Sequence, residues 1–325
     1  LRAGSLQGQQ IRRLIDALII SGVLVAGIGL FLYVRGEAII TAEDGVRRLA
    51  SVYGSPNNVA LWLGRCLPFA LALVLSRITA YQRWLYACAC ALLVITIMLT
   101  FSAGAIALGI PAILITIVPL SIGRRSLLPL AGLVVATVAA LPFTAQFPRF
   151  ARLFDPSEGT NFFRVRVWQS AIALIRDHPI TGIGQDQFLN FFRGRYILPD
   201  AWQEPNLSHP HNFVLDIWLR LGIVGVLLFT ALFGTLLHTF WRLRMRFRHD
   251  PSLKAVAIGA LGATVHQLGH GLVDNSLFVN DLIYAFMLLC GLAVILDQHK
   301  PTENDASSAH QNMRSIDVNA KLIVK

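Results

Sequence analysis

The chain has 325 residues, 55% of them hydrophobic and only 14% charged, and its mean hydropathy of +0.59 excludes an ordinary water-soluble domain of this length. Its net charge of +10 does not point to nucleic acid, because the basic residues are scattered between apolar runs and not gathered on one domain. Cys66, Cys88, Cys90 and Cys290 all lie inside apolar runs, so they suggest neither a disulfide framework nor a zinc pattern and read as small packing residues.

What remains is an integral membrane protein. In chain order, the opening text LRAGSLQGQQ leads directly into an apolar stretch with no signal peptide, and we expect further spans of a longer polytopic protein to precede it. Crossing a bilayer as helix takes about 17 to 25 mostly apolar residues. Eight runs approach or reach that length: residues 14–34, 58–76, 84–101, 105–120, 127–145, 213–240, 255–273 and 278–296. Pro68 and Pro111 inside them are tolerable in a bundle, where neighbours satisfy the freed backbone groups. The expected fold class is all-α: a polytopic transmembrane helical bundle with one large outer loop.

Alternate connections carry Arg12 and Arg13, Arg77 and Arg83, Arg124 and Arg125, then Arg242, Arg244, Arg246 and Arg248, and finally the tail lysines. This positive-inside bias puts the N-terminus in the cytoplasm and residues 146–211 outside. Five helices then occupy residues 1–145, the outer loop 146–211 and three more helices 212–297. The polar tail 298–325, with its ENDASSAHQN, reads as disordered and cytoplasmic.

The outer segment holds seven arginines against six acidic residues, and its length is more than a connector needs. Within it, NFFRVRVWQSAIALIRDHP (161–179) repeats Phe163, Val167, Ala171 and Leu174 at helical spacing and ends at Pro179. An amphipathic helix on the outer surface is predicted. Arg164 and Arg166 stand two apart on it, so at most one is expected to face a cavity, and two readings stay open: a lipid-headgroup contact, or a guanidinium clamp on phosphate. GIGQDQF (182–188) reads as a turn.

SHPHNFVLDIWLRLGIVG (208–225) puts His209, His211 and Asn212 directly before a long apolar run. Asn212 suits an N-cap. His211 is either an interfacial histidine or a general base at an outward-facing site, with His209 orienting it or merely exposed beside it. Arg65 lies two turns inside the second span, where a charge is costly unless it snorkels, pairs or faces water. His266, His270 and Asp274 fall at i, i+4 and i+8, with Asn275 beside the last; they read as a polar stripe and not as a metal site, since no fourth ligand has sensible spacing. No metal and no cofactor are expected.

Four blocks in order carry a family likeness. RLASVYGSPNNVALWL (48–63), RVRVWQSAIALIRDHPITGIGQDQF (164–188), His211-Asn212 followed after nine residues by GIVG (222–225), and HGLVDNSLFVNDLIYAF (270–286) together resemble the O-antigen ligase and polymerase superfamily, bacterial membrane glycosyltransferases of the GT-C kind. One departure is Ala103 in FSAGAIAL (101–108), where the family often has an arginine taken to contact lipid pyrophosphate; Arg65 or Arg48 are the candidates to substitute.

The resemblance implies a multi-pass protein of the bacterial inner membrane, active on the periplasmic side in polysaccharide and lipopolysaccharide biosynthesis. Its implied donor is a glycan on undecaprenyl pyrophosphate, its acceptor a hydroxyl of lipid A core, glycan or protein, and its surroundings membrane lipids. On this reading His211 is the base and Arg164 the pyrophosphate clamp. Arg48, Arg65, Arg166, Asn212, His209, His270 and Asp274 help to bind substrate, and transfer inverts the anomeric centre without metal. A polymerase of the same fold, a lipid-linked glycan transporter and a silent envelope scaffold are the competing readings.

Overall fold

The computed structural model describes residues 8–41, 45–132, 159–275 and 277–299. They form a helical bundle with a little strand. The first helix, α1 (Gly8–Val34), buries Ile11, Ile15, Ile19, Gly22, Ala26 and Gly29, a stripe at spacings of three and four, while Ile20, Leu24, Ile28 and Phe31 on its other face are exposed. That is the pattern of a helix with one side on protein and one on lipid. Gly22 and Gly29 sit where a Cβ would come within 2.9 Å of Cys66 and Ser51, so small residues set the close approach of α1.

A short hairpin follows, β1 (Ile39–Thr41) antiparallel to β2 (Arg47–Leu49), with Ile40 opposite Arg48. Helix α2 (Pro56–Val74) opens with Ser55 as N-cap and Pro56 in its first turn, a combination that satisfies one free N–H and needs none from proline. Thr79 caps α3 (Ala80–Leu99) in the same way. A π-helical segment, Ala105–Gly109, then leads into α4 (Ile110–Ile122).

Beyond lies α5 (Gly159–Asp177), which ends two residues before Pro179. Its apolar face does not meet lipid. Val167, Ala171 and Leu174 are buried with Phe188, Phe192, Ile197, Ala201 and Leu219 in a second, smaller core between α5, the segment after it and the start of α6. The main core lies between α1 to α4, α6 (Phe213–Arg246), α7 (Pro251–Gly271) and α8 (Asn280–Gln298).

Six described helices are long and apolar enough to cross a membrane: α1, α2, α3, the π segment with α4, α6 and α8. Helix α7, read from sequence as the seventh span, is not among them, because Thr264, His266, Gln267 and His270 dilute its apolar content. It runs through the middle of the bundle, its start held by Arg12 and its end by Asn212. Gly259 packs on the Phe69 backbone and Gly262 on Ile117, so a polar helix is shielded by α2 and α4. The fifth expected span falls mostly, and the tail from residue 300 wholly, outside the described residues.

Helix α6 departs most from the expected span. At Gly222 the backbone leaves helical space, with φ 67° and ψ −168°, a combination open in practice only to glycine. In a straight helix the rings of Phe213 and Phe233 would lie about 30 Å apart at 1.5 Å per residue; here their centroids are 5.9 Å apart. Residues 213–221 therefore fold back as an arm against residues 223–246. The backbone groups opened by the break are taken up by the turn after α5: Ile183 N–H donates to Leu219 O (2.6 Å) and Ile223 N–H to Pro179 O (3.3 Å), while Trp218 Nε1 donates to Pro179 O (2.8 Å).

The ends of the bundle differ in character. Arg12 donates to Ser252 at the start of α7, and Arg246 to the carbonyls of Asp297 in the last turn of α8 and of His299 just after it, so arginine-bearing termini gather at one end. The start of α6 and the end of α7 lie together at the other, joined through Asn212 and Leu272.

Gly222→Ala tests the break. A Cβ there would lie 1.8 Å from Ile180 O, and the backbone conformation alone costs about 1–3 kcal/mol. The expected result is a clear drop in folded yield and thermal midpoint in detergent, whereas Gly234→Ala, whose Cβ meets open space, should match wild type.

Candidate functional site

The start of the α6 arm is fixed by its own sequence. Pro210 is buried and His211 takes a left-handed φ of 51°, a conformation unusual for a residue with a side chain. Asn212 then caps the arm, its Oδ1 accepting from Val214 N (3.0 Å) and Leu215 N (3.1 Å), and its Nδ2 donates to Leu272 O at the end of α7 (2.8 Å). One side chain thus starts a helix and ties it to another.

This tie brings together groups far apart in sequence. His211 Nδ1 lies 3.2 Å from Asp274 Oδ1, and Arg164 Nη2, from the first turns of α5, lies 3.9 Å from Asp274 Oδ2. Asp274 is 4% exposed. Burial by itself would raise its pKa, but the hydrogen bond to His211 and the positive charges of His211, His270 and Arg164 outweigh burial and hold the carboxyl well below the usual carboxylate range. The Asp274 backbone turn is held as well, with its Oδ1 accepting from Asn275 N and Asn275 Oδ1 from Leu277 N and Phe278 N.

With Nδ1–H donating to the carboxylate, His211 keeps the lone pair of Nε2 for another partner. Its side chain is 25% exposed and that of Arg164 12%. Arg164 Nε is buried without a hydrogen bond among the described residues. The arrangement offers a proton acceptor oriented by a carboxylate, beside a guanidinium with donors to spare.

His209 stacks edge-on against His211, centroids 4.4 Å apart, and its Nδ1 is 3.0 Å from Ser208 Oγ. Burial, then the charge of His211, pushes its imidazole down to about 4. Ligand-type atoms of His209, His211 and Asp274 lie within 4.8 Å of one another, a grouping that spacing alone did not reveal. A guanidinium as the next neighbour favours an anion here over a metal cation.

The other sequence candidates spread around this centre. His270 is buried, with Nε2 3.4 Å from Ser102 Oγ and its ring near His266. His266 sits in a cradle where a Cβ on Gly64 would be 2.1 Å from its Nε2, so it packs between helices. Arg65 is buried and donates to Leu282 O on α8. Arg48 donates to Thr100 O (2.9 Å) and to Asn57 Oδ1 (2.9 Å), bracing the C-terminal end of α3 two residues before Ser102. Arg166 turns away to Asp200 (2.6 Å) and Gln169 (3.0 Å). Of the two arginines on α5, Arg164 is the one beside Asp274.

Sequence reasoning missed Arg220. Its Nε donates to Asp216 Oδ1 (3.0 Å), its Nη1 to Gln185 Oε1 (3.1 Å) and to Asp186, and its guanidinium lies 4.7 Å from the Phe278 ring centroid. Arg220 therefore clasps the arm, the turn after α5 and the loop before α8. The signal was present: an Asp and an Arg four apart in an otherwise apolar run call for an internal ion pair.

Fold and site together define a multi-pass helical membrane protein with a His–Asp–Arg cluster at one end of its bundle. Residues 88–230 match the family model described as O-antigen ligase. The match runs from α3 into α6 and includes Arg164 and His211, so this part of the chain is similar to that family. No curated protein matches the chain.

Two measurements probe this geometry. Asn212→Ala removes the arm's cap, a loss of about 0.5–2 kcal/mol, together with the bond to Leu272 O; its thermal midpoint should fall, and Asn212→Asp, which keeps the cap oxygen, should recover part of the loss. His209 has a folded pKa near 4 against about 6.5 in an unfolded chain. The unfolded state thus binds more protons between those values, and stability falls as pH drops through that window. Thermal unfolding near pH 5 should show a lower midpoint than near pH 7, with a smaller drop in His209→Gln.

Proposed function

We propose that the protein transfers a glycan from undecaprenyl pyrophosphate to an acceptor hydroxyl on the outer face of the bacterial inner membrane. The observation that carries this reading is the Asp274 carboxylate shared between His211 and Arg164. In the proposed reaction the acceptor oxygen attacks the anomeric carbon and forms the new glycosidic bond. Its proton passes to His211 Nε2. The bond from the anomeric carbon to the pyrophosphate oxygen breaks, and its electron pair leaves with undecaprenyl pyrophosphate.

Asp274 keeps His211 in the required tautomer and stabilises the imidazolium as it forms. Pyrophosphate is a good leaving group, so what helps it is positive charge held where its oxygen gains charge; Arg164 has the position and the fork of donors for this. Direct displacement inverts the anomeric centre. The acceptor is a hydroxyl of lipid A core, another lipid-linked glycan or a protein, corresponding to ligase or polymerase activity on one fold. Arg48 and Arg65 are the further cations on this side, and on the proposed reading they shape the wall near Ala103.

The test is transfer by the full-length protein in nanodiscs, using labelled lipid-linked glycan and each acceptor class. His211→Ala should lower turnover about 10²–10⁴-fold with normal folding; unchanged turnover overturns the base assignment. Arg164→Lys keeps charge but loses the fork, and should lower turnover about tenfold or more. Movement of the labelled lipid across the bilayer without transfer would favour a transporter.

A further inference from the structure

At the end of α5 away from Arg164 the chain carries more positive charge than it neutralises. Arg176 stands in the last turn of α5, and a π-helical segment, Phe192–Tyr196, carries Arg193 and Arg195; all three are exposed. The two stretches meet. Tyr196 donates to Asp177, the His178 ring lies 5.7 Å from that of Phe191, and the hollow between them, about 300 Å³, is lined by His178, Asn190, Phe191, Gly194, Arg195 and Tyr196. Among the described residues none of the three arginines pairs with a carboxylate, the nearby acids being held by Arg166 and Arg220, and Asp177 is taken by Tyr196.

The turn that follows α5 fixes where this edge sits. Gly222 stands twenty residues before Arg242 on α6, about 30 Å along a helix, which matches the thickness of a hydrocarbon core; Arg242, paired with Asp297, marks the opposite boundary. The turn seats on the top of that span, where Pro179 O accepts from Ile223 N–H and Ile180 O abuts Gly222. The Ile180 side chain is nevertheless 68% exposed, as Val224, Leu227 and Leu228 of the span below it are exposed. An exposed isoleucine continuous with a lipid-facing helix reaches the acyl boundary, and basic residues beside it reach the headgroups.

We propose that this edge is a docking surface for anionic phospholipid headgroups of the surrounding bilayer, with Ile180 at the hydrocarbon boundary and Arg176, Arg193 and Arg195 on phosphate. The inference goes beyond the transfer reaction, since it concerns how the outer segment is seated and not the chemistry at His211. Arg176 lies twelve residues along α5 from Arg164, about 18 Å, so a pyrophosphate held at Arg164 does not reach these arginines. A lipid surface supplies many phosphates at the height where Gly222 places the turn. Unpaired arginines there are attracted to a negative surface.

The test is amide hydrogen exchange of residues 176–196 in the full-length protein, held in nanodiscs of phosphatidylcholine with and without phosphatidylglycerol. Wild type should exchange about tenfold more slowly when phosphatidylglycerol is present, the weight of one to two basic residues at an anionic surface. Arg193→Gln combined with Arg195→Gln should remove that difference. Arg193→Lys combined with Arg195→Lys should keep it, because a lipid surface reads charge more than the guanidinium fork. Ile180→Ser should speed exchange of the turn in both kinds of disc. Exchange in wild type that ignores phosphatidylglycerol overturns the proposal, and so does a turn unchanged by Ile180→Ser. Equal protection by inorganic phosphate in discs without phosphatidylglycerol assigns the arginines to a free anion, and protection seen only with added lipid-linked glycan assigns them to substrate; either result also overturns it. Because the readout is exchange and not turnover, a protein that transfers no glycan counts against the proposed function alone.

Discussion

The structure depends on the interruption of α6 at Gly222. Within a bilayer an open backbone group costs several kcal/mol unless another part of the protein satisfies it, so a broken helix needs a second segment shaped to fit it. The turn after α5 is that segment. Gly182 approaches so closely that a Cβ would lie 2.4 Å from Leu219 O, and Gly222 so closely that its own would overlap Ile180 O. Each glycine makes room for the other's backbone. The turn after α5 and the arm consequently cannot be understood separately: the arm's Leu219 O accepts from Ile183 N–H, and Pro179 O accepts from Trp218 Nε1 and from Ile223 N–H beside the break.

The chemistry follows from where that fold leaves helix termini. The arm is capped by Asn212, which puts the partial positive charge of its N-terminus beside His211 and Asp274. A buried carboxylate is costly on its own. Asp274 stays ionised because an imidazole and a guanidinium compensate it from two sides, while Arg220, the other large cation of this region, is consumed by Asp216, Asp186 and Gln185. The division of labour is electrostatic: Arg220 is neutralised and structural, whereas Arg164 shares its only described carboxylate with His211 at 3.9 Å and keeps donors for an anion.

Much of this was legible in the residues. Helical bundles announce themselves by apolar runs, and α1 to α4, α6 and α8 fall where those runs do. The spacing of Val167, Ala171 and Leu174 revealed an amphipathic helix, but periodicity does not say what covers an apolar face, and here a local core covers it in place of lipid. The Gly-x-x-Gly after His211 was legible only as part of a family likeness. Its first glycine has a positive φ, which composition does not distinguish from a packing role. Arg164 and Arg166 were equivalent in sequence because both lie on one helix, and only tertiary contacts with Asp274 and Asp200 separate them. His266 and His270 shared a helical face with the line of Asp274, and although the helix ends at Gly271, the His266 and His270 rings lie 5.5 Å apart and His270 acts on Asp274.

A cluster assembled from residues 164, 211 and 274 needs more than contacts among its members, because each sits at or near the end of an element and ends fray. The short connector between α7 and α8, which carries Asp274, is fixed at three points. Asn212 holds its start through Leu272 O, the Asn275 side chain closes its middle over Leu277 and Phe278, and Arg220 lies over the Phe278 ring. Two of these three contacts come from the arm of α6 and its cap. The same arm carries the cap beside His211 and, through Arg220, the turn that follows α5 and Arg164. Geometry at the site is therefore set by one nine-residue arm touching all three contributors, and the glycine that breaks α6 is what puts the arm within reach of them.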